Sequence, residues 1–153
     1  NHLWQEMVEL PDEPDKFSMY ASENLGIKGP HVDGSFPRVR RFTIRKDGFV
    51  SVRAKAQQGE LVTKLLIFAG DKLTVNSNAQ LGESGSVRAE ILDDKQHPIP
   101  DFTIKDCDPF SMDEIDATVT WKGRADVSAL AGKPIHLRFV LNDADLFSFR
   151  FTE

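Results

Sequence analysis

Alternation of apolar and polar residues is clearest in the stretch Ile135-His136-Leu137-Arg138-Phe139-Val140-Leu141. Its odd-numbered positions are all apolar, and they share one face of an extended chain because successive side chains of a β-strand leave opposite faces. The next run, Leu146-Phe147-Ser148-Phe149-Arg150-Phe151, carries a phenylalanine at every second position. The residues between the runs, Asn142-Asp143-Ala144-Asp145, have good turn chemistry. The two runs are therefore predicted to pair as a hairpin, with the C-terminus held in the core.

The same alternation recurs along the chain, and helical periodicity is rare. Lys46-Asp47-Gly48-Phe49 predicts a second hairpin between strands at 39–45 and 49–56, because Asp-Gly accepts the positive φ angles of a tight turn. Further strands are predicted at 60–68, 72–76, 86–92, 100–104 and 116–121. About nine or more short strands separated by turns are typical of an antiparallel all-β sandwich, of jelly-roll or concanavalin-like kind, with a closed barrel as the alternative.

Length and charge set the broad class of protein. A chain of 153 residues fits one domain, so a single β-sandwich domain is predicted over residues 1–153. The 19 Lys and Arg against 24 Asp and Glu give a net charge of -5, which argues against a nucleic acid partner. No apolar stretch approaches the roughly 20 residues of a membrane helix, so a soluble protein without a membrane partner is expected.

Several phrases of the sequence occur together in a familiar order. They are RKDGFVSV at 45–52, FAGDKLTVN at 68–76, GSVRAEILD at 85–93, LAGKPIHLRF at 130–139 and DADLFSFRF at 143–151. This series, over about residues 38–151, resembles the C-terminal β-sandwich of five-bladed propeller proteins that look like family 32 and family 43 glycoside hydrolases. The resemblance implies that the propeller carries catalysis, so no catalytic residue is assigned in this chain.

The resemblance also implies a context for the chain. The expected role is that of a non-catalytic accessory sandwich, which binds carbohydrate or packs against an N-terminal propeller of the same parent chain. Residues 1–37 are then expected to form the connection from that propeller, and the location to be extracytoplasmic or secreted. Because the sequence begins at Asn1 without a methionine, an excised or processed part of a longer protein is expected. The alternatives are a purely structural or interaction domain without a small ligand, and an enzyme that acts on glycans by itself.

Candidate carbohydrate-binding residues follow from the chemistry of sugars. Aromatic rings stack on the C–H faces of sugar rings, which makes Trp4 and Tyr20 candidates. Arg41 and Arg45 belong to a basic run, and a planar guanidinium suits carboxylate or sulfate groups. The other interpretation is that these arginines pair with acids of the chain or face the propeller. Trp121 is in phase with the strand residues before it and is predicted to lie in the core.

Acidic residues crowd the loop-rich middle of the chain and suggest a calcium site. Asp93, Asp94, Asp106 and Asp108 are the candidate ligands, because Ca²⁺ takes about six to eight oxygen ligands and clustered carboxylates repel unless a cation compensates them. The other interpretation is that they are solvated turn formers. The sequence holds no phosphate loop, dinucleotide fingerprint or zinc H-E-x-x-H motif.

Overall fold

Nearly all regular structure in this protein is β-strand. The structure, a computed structural model, describes residues 6–24, 36–55, 57–79 and 85–153, together with the backbone of residues 2–3. Its strands are β1 (His2–Leu3), β2 (Val8–Leu10), β3 (Glu13–Glu23), β4 (Arg38–Arg45), β5 (Val52–Ala54), β6 (Gly59–Val62), β7 (Lys72–Asn78), β8 (Ser86–Leu92), β9 (Asp113–Thr118), β10 (His136–Asn142) and β11 (Ala144–Thr152). The helical structure within these described ranges consists of one 3₁₀ turn, Ser128–Leu130. The predicted all-β class with antiparallel sheets is confirmed.

The chain divides into two compact units, residues 1–49 and 50–153. The first unit is sheet A, in which β4 pairs along one edge of β3 while β1 and β2 share its other edge. The segment 1–37, expected to be a connection, therefore contributes three strands of this sheet, and β4 adds the fourth. The prediction of a single domain over 1–153 is not decided by this division and stays a prediction.

The second unit is a sandwich of two antiparallel sheets. Sheet B has the order β5-β11-β7-β9 and sheet C has the order β6-β10-β8. Leu73 and Val75 of sheet B and Leu137 and Phe139 of sheet C belong to one buried apolar cluster. Burial of such side chains stabilises the fold by roughly 25 cal/mol per Å² of apolar surface removed from water. The alternation seen in the sequence thus corresponds to two sheets that face a shared core.

The two C-terminal strands do not form the predicted hairpin. β10 pairs with β6 and β8 in sheet C, whereas β11 pairs with β5 and β7 in sheet B. The chain passes from one sheet to the other at Asp143, whose φ of 38° lies in the left-handed region. Because the sheets face each other, this corner lets both runs turn their apolar sides to the same core. Phe139 and Phe149 accordingly meet across it with ring centroids 5.5 Å apart.

The second predicted hairpin is also wrong, although its turn forms. Asp47 has a φ of 52°, and the N–H of Gly48 donates to the carbonyl of Arg45 at 3.0 Å. The strands on either side, however, pair with β3 and with β11, not with each other. The strand predicted at 100–104 is a series of turns, in which Asp101 has a φ of 71°.

Trp121 lies in the core, as predicted. Only 1% of its surface is exposed. Its indole Nε1–H donates to the carbonyl of Ala89 at 3.0 Å, and the ring of Phe102 approaches it edge-on with centroids 5.2 Å apart. A tryptophan whose polar atom is satisfied inside the sandwich does not serve as a platform for a sugar.

Candidate functional site

A groove opens on the outer face of sheet C, the face opposite to the core. Its volume is about 260 Å³, just below the roughly 300–1,000 Å³ of drug-sized ligand pockets, so it suits a small ligand. The lining side chains come from β8, β10, the approach to β6 and the loop after β8. They are Gln58, Ser86, Arg88, Ile104, Arg138, Val140 and Asn142. We call this the sheet C groove.

Strand register brings these side chains together. On β10 the residues that alternate with the core positions are Arg138, Val140 and Asn142. The antiparallel pairing sets them opposite Glu90, Arg88 and Ser86 of β8, in that order. On the other side of β10, Val140 lies opposite Glu60 of β6. Side chains directly opposite in adjacent strands are neighbours on one face, so the groove has polar walls around the apolar side chain of Val140.

Arg138 is held in place by two carboxylates. Its Nε and one terminal nitrogen donate to Glu60 at 3.1 and 2.8 Å, and its other terminal nitrogen donates to Glu90 at 2.9 Å. Glu90 is only 3% exposed, and its second oxygen accepts the N–H of Ile104 at 3.0 Å. Hydrogen bonding by Arg138 holds the pKa of Glu60 below its ordinary value, and the same contact raises the pKa of Arg138. This network fixes the middle of the groove before any ligand arrives.

Arg88 differs from Arg138 because its charge is left available. It is exposed on β8, and its side chain forms no hydrogen bond or ion pair with any residue that the structure describes. Its strand neighbour Val140 offers no acceptor. A guanidinium carries five N–H donors in a planar fork, so Arg88 presents unused donors to the groove.

The chemistry of the sheet C groove is that of polar recognition. The amides of Gln58 and Asn142 and the hydroxyl of Ser86 can each donate and accept hydrogen bonds. Asn142 Nδ2 lies 3.4 Å from Ser86 Oγ, a long contact that leaves both groups able to bind a ligand. Val140 and Ile104 supply apolar surface, and the described lining residues include no aromatic ring. Both acids of the network are engaged by Arg138, so neither stands free as a general acid or base.

Three of the four carbohydrate-binding residues predicted from the sequence lie among the described residues of the first unit. Tyr20 of β3 lies opposite Arg41 of β4, and Arg45 lies on the same face, opposite Lys16. The guanidinium of Arg41 donates to Ser18 Oγ at 3.0 Å and also pairs with a carboxylate, that of Glu13. The structure therefore brings Tyr20 and Arg41 together.

Trp4, the fourth carbohydrate candidate, lies outside the described residues. Arg38 and Arg40, the other arginines of β4, both pair with Glu23, at 2.8 and 3.1 Å. Much of the basic run is therefore paired with acids of its own sheet.

The candidate calcium ligands are used mainly to close turns. Asp93 Oδ1 accepts the N–H groups of Lys95 and His97 at 2.9 and 2.8 Å. Asp106 accepts from Thr103 Oγ1 and pairs with Lys122, each through a different oxygen. The hydrogen bonds of Asp93 and Asp106 hold the pKa of each carboxyl below its ordinary value.

Asp108 behaves in the same way, and Asp94 lies exposed beside Asp93. Asp108 accepts from Thr120 Oγ1 at 2.6 Å and from the N–H of Gly123 at 2.7 Å, which lowers its pKa. Among the described residues, no three His, Cys, Asp or Glu side chains are arranged so that they could hold a metal ion. The calcium hypothesis gains no support from these residues.

Cys107, between two of these aspartates, is buried. Burial is the main reason that its pKa rises to about 11, with the charge of Asp108 adding to the rise. The thiol therefore stays protonated at neutral pH and packs in the core.

A second cavity of about 340 Å³ lies beside Trp121. Each of its charged residues has a contact within the protein: Arg124 pairs with Asp101 at 3.5 Å, and Asp126 accepts the N–H of Ser128 at 2.8 Å. For this reason the sheet C groove, with its unpaired Arg88, is the better candidate site.

Comparison with known proteins found no matching family model, no matching curated protein and no matching solved structure. In the described part of the chain there is also no helix with the length and hydrophobicity needed to cross a membrane.

The groove residues were not among the candidates taken from the sequence. Alternation does place Arg138 and Val140 on the polar face of their strand, and it gives Arg88 and Glu90 a common face on β8. Alternation does not show that β10 pairs with β8 and β6. That pairing brings Arg138 to Glu90 and Glu60, which are 48 and 78 positions away in the sequence. The signal available in the sequence was Arg138 itself, a charged residue between the apolar residues Leu137 and Phe139 of a predicted strand.

Proposed function

We propose that this chain is a non-catalytic accessory β-sandwich that binds carbohydrate in the sheet C groove. The observation that carries the proposal is the unpaired guanidinium of Arg88, which lies beside two amides and a hydroxyl over an apolar floor. Sugars present hydroxyl groups around C–H faces, and such a ligand needs several hydrogen-bonding groups in fixed positions together with some apolar contact.

Pre-organisation supports this use of the groove. Side chains that are ordered only on binding cost about 0.5–1.5 kcal/mol each. Arg138 avoids that cost because Glu60 and Glu90 already hold it. A weak polar ligand gains most from a surface that is ordered in advance.

The wider context is a further part of the proposal. The parent protein would be a glycoside-hydrolase-like chain with an N-terminal propeller, acting outside the cytoplasm. The support for this context is the ordered series of sequence phrases over residues 38–151. A propeller encoded directly upstream of Asn1 is the observation that would establish it.

Glycan binding by the full chain tests the proposed function. A panel of neutral and acidic oligosaccharides is titrated into ¹⁵N-labelled protein, and amide shifts are followed on β8 and β10. We expect shifts centred on Ser86, Arg88 and Asn142. Gln58→Ala should weaken binding several-fold because it removes a groove amide, whereas the neighbouring Gln57→Ala should not. Absence of binding by every glycan of the panel would refute carbohydrate recognition.

A purely structural or interaction domain is the second candidate, and one observation favours it. β6 lies at an edge of sheet C; Val62 at its end and Leu65 and Ile67 just after it are 42%, 52% and 68% exposed. Exposed apolar residues at an open strand edge are a usual feature of protein-binding surfaces. Under this alternative Ile67→Glu would change self-association in sedimentation velocity, while glycans would leave the amide spectrum unchanged.

A further inference from the structure

We infer that the ligand of the sheet C groove is an acidic sugar, whose carboxylate or sulfate group pairs with Arg88. This inference rests on the proposed function, since it names the class of carbohydrate for the same groove. The inference goes beyond the proposed function, because the amides and the hydroxyl of the groove would bind a neutral sugar as well as an acidic one.

The placement of charge around the groove supports an anionic group. Both charged residues that line it are arginines, Arg88 and Arg138. The acids that balance them are not among the lining residues: Glu90 is 3% exposed, and Glu60, whose side chain is 44% exposed, has both oxygens on Arg138. The four formal charges cancel, so the preference comes from which charges face the ligand and not from a net positive patch.

Arg88 is the residue that discriminates. Arg138 has its Nε and both terminal nitrogens engaged by carboxylates, so it contributes a fixed positive surface but few spare donors. Arg88 has its whole fork unused among the described residues, and a carboxylate or sulfate can accept two parallel N–H bonds from it. Such a charge-assisted pair is roughly twice as strong as a hydrogen bond between neutral groups.

The geometry also places the rest of the sugar. Arg88 and Glu60 lie on either side of Val140 in one row across three strands, about 10 Å apart at two interstrand spacings. The next row along the strands holds Ser86 and Asn142. An acidic group on Arg88 therefore sets the ring over Val140, with its hydroxyls towards Ser86 and Asn142.

The test compares matched acidic and neutral probes on the full chain. Trimers of galacturonate, glucuronate and mannuronate are set against trimers of galactose, glucose and mannose of the same linkage, with sulfated galactose trimers as a further arm. Isothermal titration measures Kd for each. We expect at least one acidic probe to bind about tenfold more tightly than its neutral counterpart, and the difference to shrink as salt screens the pair.

Variants of Arg88 separate its role from general charge effects. Arg88→Gln should remove the preference, so that the acidic probe and its neutral counterpart bind with similar Kd, while Arg88→Lys should restore part of it, because an ammonium keeps the charge without the fork. Arg150→Gln, which removes the same charge from an exposed position of sheet B, is the control and should leave binding unchanged. Equal thermal midpoints for the wild type and Arg88→Gln would show that the variant folds.

The outcomes distinguish the inference from the proposed function. Equal binding of acidic and neutral probes at the groove overturns the inference and leaves carbohydrate binding standing, as does an acidic preference that survives Arg88→Gln. No binding of any probe removes both. Loss of the acidic preference in Arg88→Gln but not in Arg150→Gln supports the inference. Whether the preference is seen with the uronate or with the sulfated probe identifies the anionic group.

Discussion

Among single residues, Trp121 is the largest of the side chains that are less than 2% exposed in the described core. Trp121→Ala is expected to lower the free energy of unfolding by about 3–5 kcal/mol, because it leaves a cavity and orphans the carbonyl of Ala89. Urea unfolding measures the change. Ile67→Ala, at a position 68% exposed, is the comparison and should stay within about 0.5 kcal/mol. A Trp121→Ala protein with an unchanged midpoint would contradict the core placement.

Asp145 makes the stability depend on pH. The residue is 2% exposed, and its carboxylate accepts two hydrogen bonds from Arg53, at 2.9 and 2.6 Å, and one from Ser51. The bonds from Arg53 are the main reason that its pKa lies below the ordinary value. A lowered folded-state pKa stabilises the protein above the unfolded-state pKa of about 3.9, and this contribution is lost as pH falls through the folded-state value.

Asp145→Asn is expected to cost about 1.5–3 kcal/mol at pH 7, since hydrogen bonds to a charged group are lost. The difference from the wild type should begin to shrink near pH 4, where the carboxylate of the unfolded wild-type chain takes up a proton, and should shrink further as pH falls towards the lowered folded-state pKa. Urea unfolding at pH 7, 5, 4 and 3 measures this. The control is Asp116→Asn, which breaks the exposed pair with Arg150 and should cost at most about 1 kcal/mol. A penalty that stays constant down to pH 3 would argue against the charge-assisted bonds.

At the scale of elements, the connection from β6 to β7 depends on close packing of Gly70 against the end of β11. A Cβ at Gly70 would lie 2.5 Å from the carbonyl oxygen of Thr152, and its φ of 110° is one that L side chains rarely adopt. Gly70→Ala should therefore destabilise by about 2 kcal/mol or more. Gly132→Ala also meets a positive φ, 73°, but open space, so only the backbone cost of about 1–2 kcal/mol is expected. Thermal unfolding of the two variants compares them, and equal losses would mean that the packing against β11 is dispensable.

The elements also show where sequence reasoning succeeds and where it ends. The strand predicted at 86–92 coincides with β8, because alternation and flanking turn residues are local signals. Both hairpins were wrong for the opposite reason: a turn such as Lys46–Asp47 is encoded locally, but the partner of a strand depends on which apolar faces meet in the core. For the same reason the groove could not be predicted from the sequence. Alternation places Arg138 on the polar face of its strand, but only the strand register identifies Glu60 and Glu90 as its partners.

For the whole molecule, the division at residues 49 and 50 can be tested directly. The described apolar core cluster contains residues from Ala54 to Phe151, all within the second unit. A fragment of residues 50–153 is therefore expected to unfold in one cooperative transition and to keep the sheet C groove. Trp121 is its single tryptophan, since the other of the chain's two is Trp4, so fluorescence reports the sandwich alone.

Urea unfolding of this fragment and of the full chain, each followed by fluorescence and by far-ultraviolet circular dichroism, makes the comparison. Coincident fluorescence and dichroism transitions in the fragment would show that sheets B and C form a self-sufficient sandwich, because loss of core packing and loss of strand structure would then be one event. A fragment that shows no transition would mean that residues 1–49 supply part of its stability, which is what a single domain over 1–153 requires. Glycan titration of a folded fragment would then locate binding in the sandwich without Tyr20, Arg41 or Arg45, and loss of all binding there would return those residues to consideration.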